Sequence, residues 1–216
     1  MPETETYTIR LGGEWLLEDL YQFPRTFEQV YFAVYSLDPT LEEIEADKIT
    51  RIYRAFPWQG GYSAVNFYND LKYLTPKRQR PKVISIEYSS PGSMELALFV
   101  LIALQVENIV KSACKSMTHI NKLYGDIVKG MQQRELMRLK IQIQQVKLKK
   151  EEAEFIEKSA KAMSRALGFS NVAELNKRTG HPYITLKILL SLFRRVRVLA
   201  EYQNKGKATL DTEEGV

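Results

Sequence analysis

Cys114, His119 and His181 are the only thiol and the only imidazoles in the 216-residue sequence. A zinc site needs such groups clustered at ligand spacing, and a thiol nucleophile needs a base within reach. Cys114 and His119 lie five apart in a segment that reads as helix. That spacing turns their side chains about 140° away from each other. The sequence contains no CxxC, HExxH or GxSxG pattern. Cys114, the single cysteine, reads as a small apolar residue on a buried helix face. Ser89-Ser-Pro-Gly-Ser93 follows a strand-like segment and precedes a helix-like one, the setting of a phosphate-binding turn. The GxxxxGK pattern is missing, and a capping serine accounts for the segment. Acidic groups such as Glu14, Glu18 and Asp19, or Glu42, Glu43 and Glu45, sit near helix starts, where the helix dipole favours them. No catalytic residue, metal ligand or cofactor follows from these patterns, and the expected class is a non-enzymatic protein.

Basic residues form the other constellation. Lys72, Lys77, Arg78, Arg80 and Lys82 crowd one turn beside Tyr73, Lys147, Lys149 and Lys150 share one segment, and Arg194, Arg195 and Arg197 share another. Nucleic acid calls for basic groups collected on one surface, with aromatics to stack on bases. Lys77, Arg78, Arg80, Lys82, Arg194, Arg195 and Arg197 are therefore the candidate contacts for an anionic partner. The overall charge of +5 divides unevenly: residues 1–75 carry a net −6, residues 76–208 a net +14 and the last eight a net −3. Such polarity suits either an anionic partner or two copies meeting acidic to basic.

These groups need elements to hold them. Thr6–Leu11 alternates apolar and polar residues as a half-buried strand does. Glu14–Tyr21 reads as a short helix ending before Pro24. Thr26 caps a second helix, with Gln29 in the capping-box position. Thr40 and Glu43 open another helix, reaching about Arg54, and Ser63 opens one through Leu74. Phe56-Pro57-Trp58-Gln59-Gly60-Gly61 reads as an aromatic loop and a candidate interaction surface. Val83–Tyr88 reads as a second strand with Ile84, Ile86 and Tyr88 on one face. The two strands are expected to pair in a two-stranded sheet covered by helices.

Ser93 then caps a helix over Met94–Lys129, with Gly125 or Gly130 as a break. Gln132–Leu167 carries a narrow apolar seam at alternating spacings of three and four: Leu136, Leu139, Ile143 and Val146, then, after a seven-residue gap, Ala153, Ile156, Ala160, Met163 and Leu167. Such a seam resembles the face of a helix that pairs with another helix. Gly168 ends that helix, Asn171 and Glu174 box a short one, and a last helix runs from near Thr185 to about Gln203.

The expected fold is α+β and predominantly helical: a small α+β unit over 1–92, a long coiled-coil-like helical region over 93–168, a C-terminal helical pair over 169–203 and a disordered tail over 204–216. The expected role is a scaffold or adaptor that forms a homo-oligomer, or binds another protein, through the long helices. The alternative is a nucleic-acid-binding protein using 77–82 and the last helix. No small-molecule substrate is identified. The longest apolar run, Leu96–Val106, is too short to span a bilayer, where about 20 residues are needed. With a polar, acidic start, the reading is cytoplasmic.

Overall fold

The computed structural model describes residues 4–38, 40–55, 62–89, 91–136, 149–169 and 172–210, with backbone only at 62 and 63. In chain order the elements are β1 (Glu5–Leu11), α1 (Leu17–Tyr35), α2 (Glu43–Ala55), α3 (Tyr62–Leu74), a 3-10 turn at Lys77–Gln79, β2 (Lys82–Glu87), β3 (Gly92–Leu98), α4 (Val100–Gln133), α5 (Lys150–Ala166), α6 (Val172–Thr179), α7 (Pro182–Asn204) and β4 (Ala208–Leu210). The α+β, mainly helical character is as the sequence indicates. Among the described residues, however, the sheet has four antiparallel strands in the order β2-β3-β1-β4 rather than two.

The strands expected to pair with each other do not, because β3 lies between them. Met94, Leu96 and Leu98 are buried and alternate with half-buried Ser93, Glu95 and Ala97. In the sequence this alternation runs directly into the apolar stretch up to Val106 and imitates a helix. Ser93 is consequently a strand residue opposite Arg10, not a helix cap. Gly92 is required at the tight β2–β3 connection, since a Cβ there would lie 2.5 Å from the Glu87 carbonyl oxygen. Within the tail expected over 204–216, Ala208–Leu210 is a strand that pairs with Leu11–Ile9.

Pro24 lies inside α1 rather than ending a helix before it. Thr26, expected as a cap, donates its hydroxyl to the Gln22 carbonyl at 2.7 Å from within the helix. The missing bond at Pro24 is outweighed by burial, because Phe23, Phe27, Val30, Tyr31, Val34 and Tyr35 are all in the core, at about 1.5–3 kcal/mol for each large apolar side chain. α4 runs through both Gly125 and Gly130, and its irregular residue is Ser116, at φ −123° and ψ 19°. Gly130 instead permits close packing, as a Cβ there would meet the Phe155 ring at 2.6 Å.

The single helix expected over Gln132–Leu167 is not continuous: α4 stops at Gln133 and α5 starts at Lys150. Leu136, Ile156, Met163 and Leu167, expected on an association seam, are buried in this chain's own core. Leu139, Ile143 and Val146 lie outside the described residues, as do residues 56–61, expected as a loop, and Lys147 and Asn171. α7 forms the axis of the helical layer, packing on α1, α4 and α5 with Leu186, Leu189, Phe193, Val196 and Leu199 buried. His181 caps its start, with Nδ1 accepting the Tyr183 backbone N–H at 3.2 Å. One apolar core runs from β1 through α7 to β4 and draws on all three segments 1–92, 93–168 and 169–203. Among the described residues no helix is long and apolar enough to cross a membrane.

Candidate functional site

Valine and isoleucine at three of six positions in Lys82-Val-Ile-Ser-Ile-Glu87 favour extended backbone. Pro81 precedes the strand, and β3 follows it from Gly92. β2 pairs with β3 along one side and, among the described residues, is the terminal strand of the sheet on the other. Lys82, Ser85 and Glu87 stand opposite Ala97, Glu95 and Ser93, while Val83 and Ile86 stand opposite Leu96 and Met94. Ile84 has no counterpart in β3 and forms a bulge. The bulge separates the expected trio Ile84, Ile86 and Tyr88 and aligns Val83 with Ile86 on the sheet face that carries the core.

That face is covered over β1 and β3 but not over β2. Val83 is 57% exposed, Ile84 52%, Ile86 48% and Tyr88 66%. Between β2 and the middle of α1 lies an apolar cleft of about 180 Å³, with Ile9, Met94 and Leu96 at its floor and Phe23, Pro24, Phe27 and Val83 at its walls. The first turns of α1 continue the apolar surface with exposed Leu16, Leu17, Leu20 and Tyr21. The Trp15 backbone N–H, at 3.4 Å from the Tyr88 hydroxyl, ties this helix start to the end of β2. Two charged residues line the cleft. Glu28 is held by Lys72 at 2.7 Å, and Arg25 donates to the Tyr21 hydroxyl and lies over its ring. The cleft therefore offers apolar area beside a strand edge, a surface suited to an extended segment of another polypeptide.

The basic candidates are split between elements, and two of them have structural tasks. Arg80 closes α3, donating Nε to the Thr75 carbonyl at 2.8 Å and Nη2 to that of Tyr73 at 2.9 Å. Arg195 lies 3.9 Å over the Tyr68 ring and donates to Gln29 Oε1 at 2.7 Å and to Ser191. Burial pulls its pKa below the ordinary guanidinium value. Arg197 pairs with Glu201 at 3.5 Å, and Arg194 reaches the Tyr124 hydroxyl at 3.2 Å. Lys77, Arg78 and Lys82 are exposed.

Other ionisable groups serve the scaffold. Buried Glu107 accepts from the Tyr7 hydroxyl at 3.0 Å and pairs with Lys111 at 2.9 Å. Tyr31 bridges the Gln79 carbonyl and the Phe99 N–H, and burial raises its pKa. Burial lowers Lys187 to about 8, with its ammonium 4.4 Å over the Tyr183 ring. Among the described residues no group of three or more His, Cys, Asp or Glu could hold a metal.

Sequence reasoning located β2 as a strand but missed its exposure. The available signals were Pro81 before it and a charge at each end, features common on edge strands. Compared with protein-family models, curated proteins and solved structures, the chain matches none.

Proposed function

We propose that the chain is a non-enzymatic protein-interaction and scaffold protein that docks through the open edge of β2 and the apolar cleft beside it. The observation that carries this reading is the exposure of Val83, Ile84, Ile86 and Tyr88 on and just beyond a six-residue terminal strand. Folded proteins ordinarily keep such edges short, charged or covered, because unpaired backbone groups invite another strand. A partner segment added here would pair with the backbone N–H and C=O groups on the outer side of β2 and lay alternate side chains into the cleft. Association, expected along the long helices, is better served at the sheet edge, since Leu136, Ile156, Met163 and Leu167 are in the core. The nucleic-acid alternative is weakened by Arg80 and Arg195, whose donors are used within the chain.

Affinity capture with the wild-type chain and with Ile86→Lys, each with and without nuclease, tests the reading. The expected result is loss of captured protein with Ile86→Lys at unchanged Tm, and no effect of nuclease. Equal capture by both chains, or capture abolished by nuclease alone, would reject it.

A further inference from the structure

We infer that the occupant of the β2 edge is β2 of a second copy of this chain, paired antiparallel across a two-fold axis so that two four-stranded sheets become one of eight strands. The inference rests on the docking reading above and names its partner. A two-fold contact requires a surface that is its own complement. Rotating Lys82-Val-Ile-Ser-Ile-Glu87 about its midpoint, between Ile84 and Ser85, brings Lys82 of one copy opposite Glu87 of the other, and Val83 opposite Ile86. Each match occurs twice, charge to opposite charge and apolar to apolar. Lys82 and Glu87 are both exposed.

The faces agree as well, and the bulge is the reason. In a regular strand, residues three or five apart point to opposite sides of the sheet. Val83 and Ile86 are three apart and Lys82 and Glu87 five apart, so a regular β2 would set each pair on conflicting faces. The extra residue at Ile84 places Val83 and Ile86 together on the cleft side and Lys82 and Glu87 together on the other. Because the bulge sits at the midpoint of the strand, it makes the edge symmetric under the two-fold. The added strand would also extend over each cleft the Val83–Ile86 surface that α1 leaves open.

Sedimentation of the purified full chain tests this. Wild type is expected to dimerise in the micromolar range. Lys82→Glu and Glu87→Lys each place like charges opposite one another twice and are expected to weaken the dimer about tenfold. The double variant Lys82→Glu/Glu87→Lys restores opposite charges and is expected to return to near the wild-type constant. All three replace exposed side chains, and circular dichroism verifies that they fold. A chain monomeric throughout the micromolar range, or a double variant as weak as the single ones, overturns self-pairing. If Ile86→Lys still loses its captured proteins in that case, the docking reading survives with a different partner. If Ile86→Lys changes neither sedimentation nor capture, both fall together.

Discussion

At one end of the sheet, β4 contributes three residues, with Ala208 and Leu210 buried; at the other, β2 contributes six and leaves its apolar side chains in water. The β4 end is tied down by several contacts. The Gly12 N–H donates to the Lys207 carbonyl at 2.9 Å, and Trp15 Nε1 donates to the carbonyls of Gly12 and Lys207, both at 3.1 Å. Trp15 stacks on Tyr202 and meets Phe23 edge-on. Asp19 accepts from the Leu16 N–H at 2.8 Å, the Tyr202 hydroxyl at 2.7 Å and Lys207 Nζ at 2.7 Å. At the β2 end the described ties are the Tyr88 hydroxyl near the Trp15 N–H and Ser85 Oγ donating to Glu95 Oε2 at 3.0 Å, beside the cleft. One chain thus contains two kinds of edge strand: a short, covered one, and a longer one with exposed apolar side chains. On the proposed reading, closing β4 serves stability and leaving β2 open serves association.

Substitutions at the two edges should therefore separate stability from assembly. Trp15→Ala removes a nearly buried indole that joins β4, α1 and α7, and should cost about 3–5 kcal/mol of stability, read as a lowered urea midpoint. A cost below about 1 kcal/mol would mean that the β4 end is not held as described.

Asp19→Asn should cost less, about 1–2 kcal/mol, through loss of charge-assisted bonds. Its signature is in pH. The Lys207 ammonium beside Asp19, helped by the Leu16 N–H and Tyr202 hydroxyl and opposed by burial, lowers the carboxyl to about 2. A depressed carboxyl contributes stability fully above its unfolded value of about 3.9 and loses it as pH falls through the folded value. The wild-type advantage over Asp19→Asn should be complete at neutral pH and disappear on acidification to about pH 2. A stability difference independent of pH would remove Asp19 from the account.

Ile86→Lys should have the smallest effect on the fold, within about 0.5 kcal/mol in urea unfolding of the monomer, because the side chain already faces solvent. The same substitution should nevertheless abolish association. A large loss of stability there would show that β2 belongs to the closed part of the molecule.

Much of the helical framework was legible in the sequence because buried positions recur with helical period. Val30, Tyr31, Val34 and Tyr35 in α1, or Leu189, Phe193 and Val196 in α7, identify their elements directly. Failures arose where two periods met or where tertiary packing prevailed. β3 was concealed because its alternation runs into α4 without a turn, and Pro24 proved compatible with a helix whose remaining length is buried. β4 is too short to carry a pattern of its own. The apolar spacing of Ile156, Met163 and Leu167 was real, but spacing does not distinguish a face turned toward α7 of the same chain from one turned toward another subunit. The edge proposed for docking was legible only as a strand. Its exposure depends on how far α1 reaches across the sheet, and its face symmetry on a bulge that the alternation of Val83–Tyr88 does not reveal.

Hydrogen exchange across the two edges, measured on the intact chain at increasing protein concentration, tests the central claim most directly. The account predicts that amides of 208–210 are protected at every concentration, while those of 82–88 gain protection as concentration rises and lose that gain in Ile86→Lys. Exchange at 82–88 that is the same at all concentrations in both chains would contradict it.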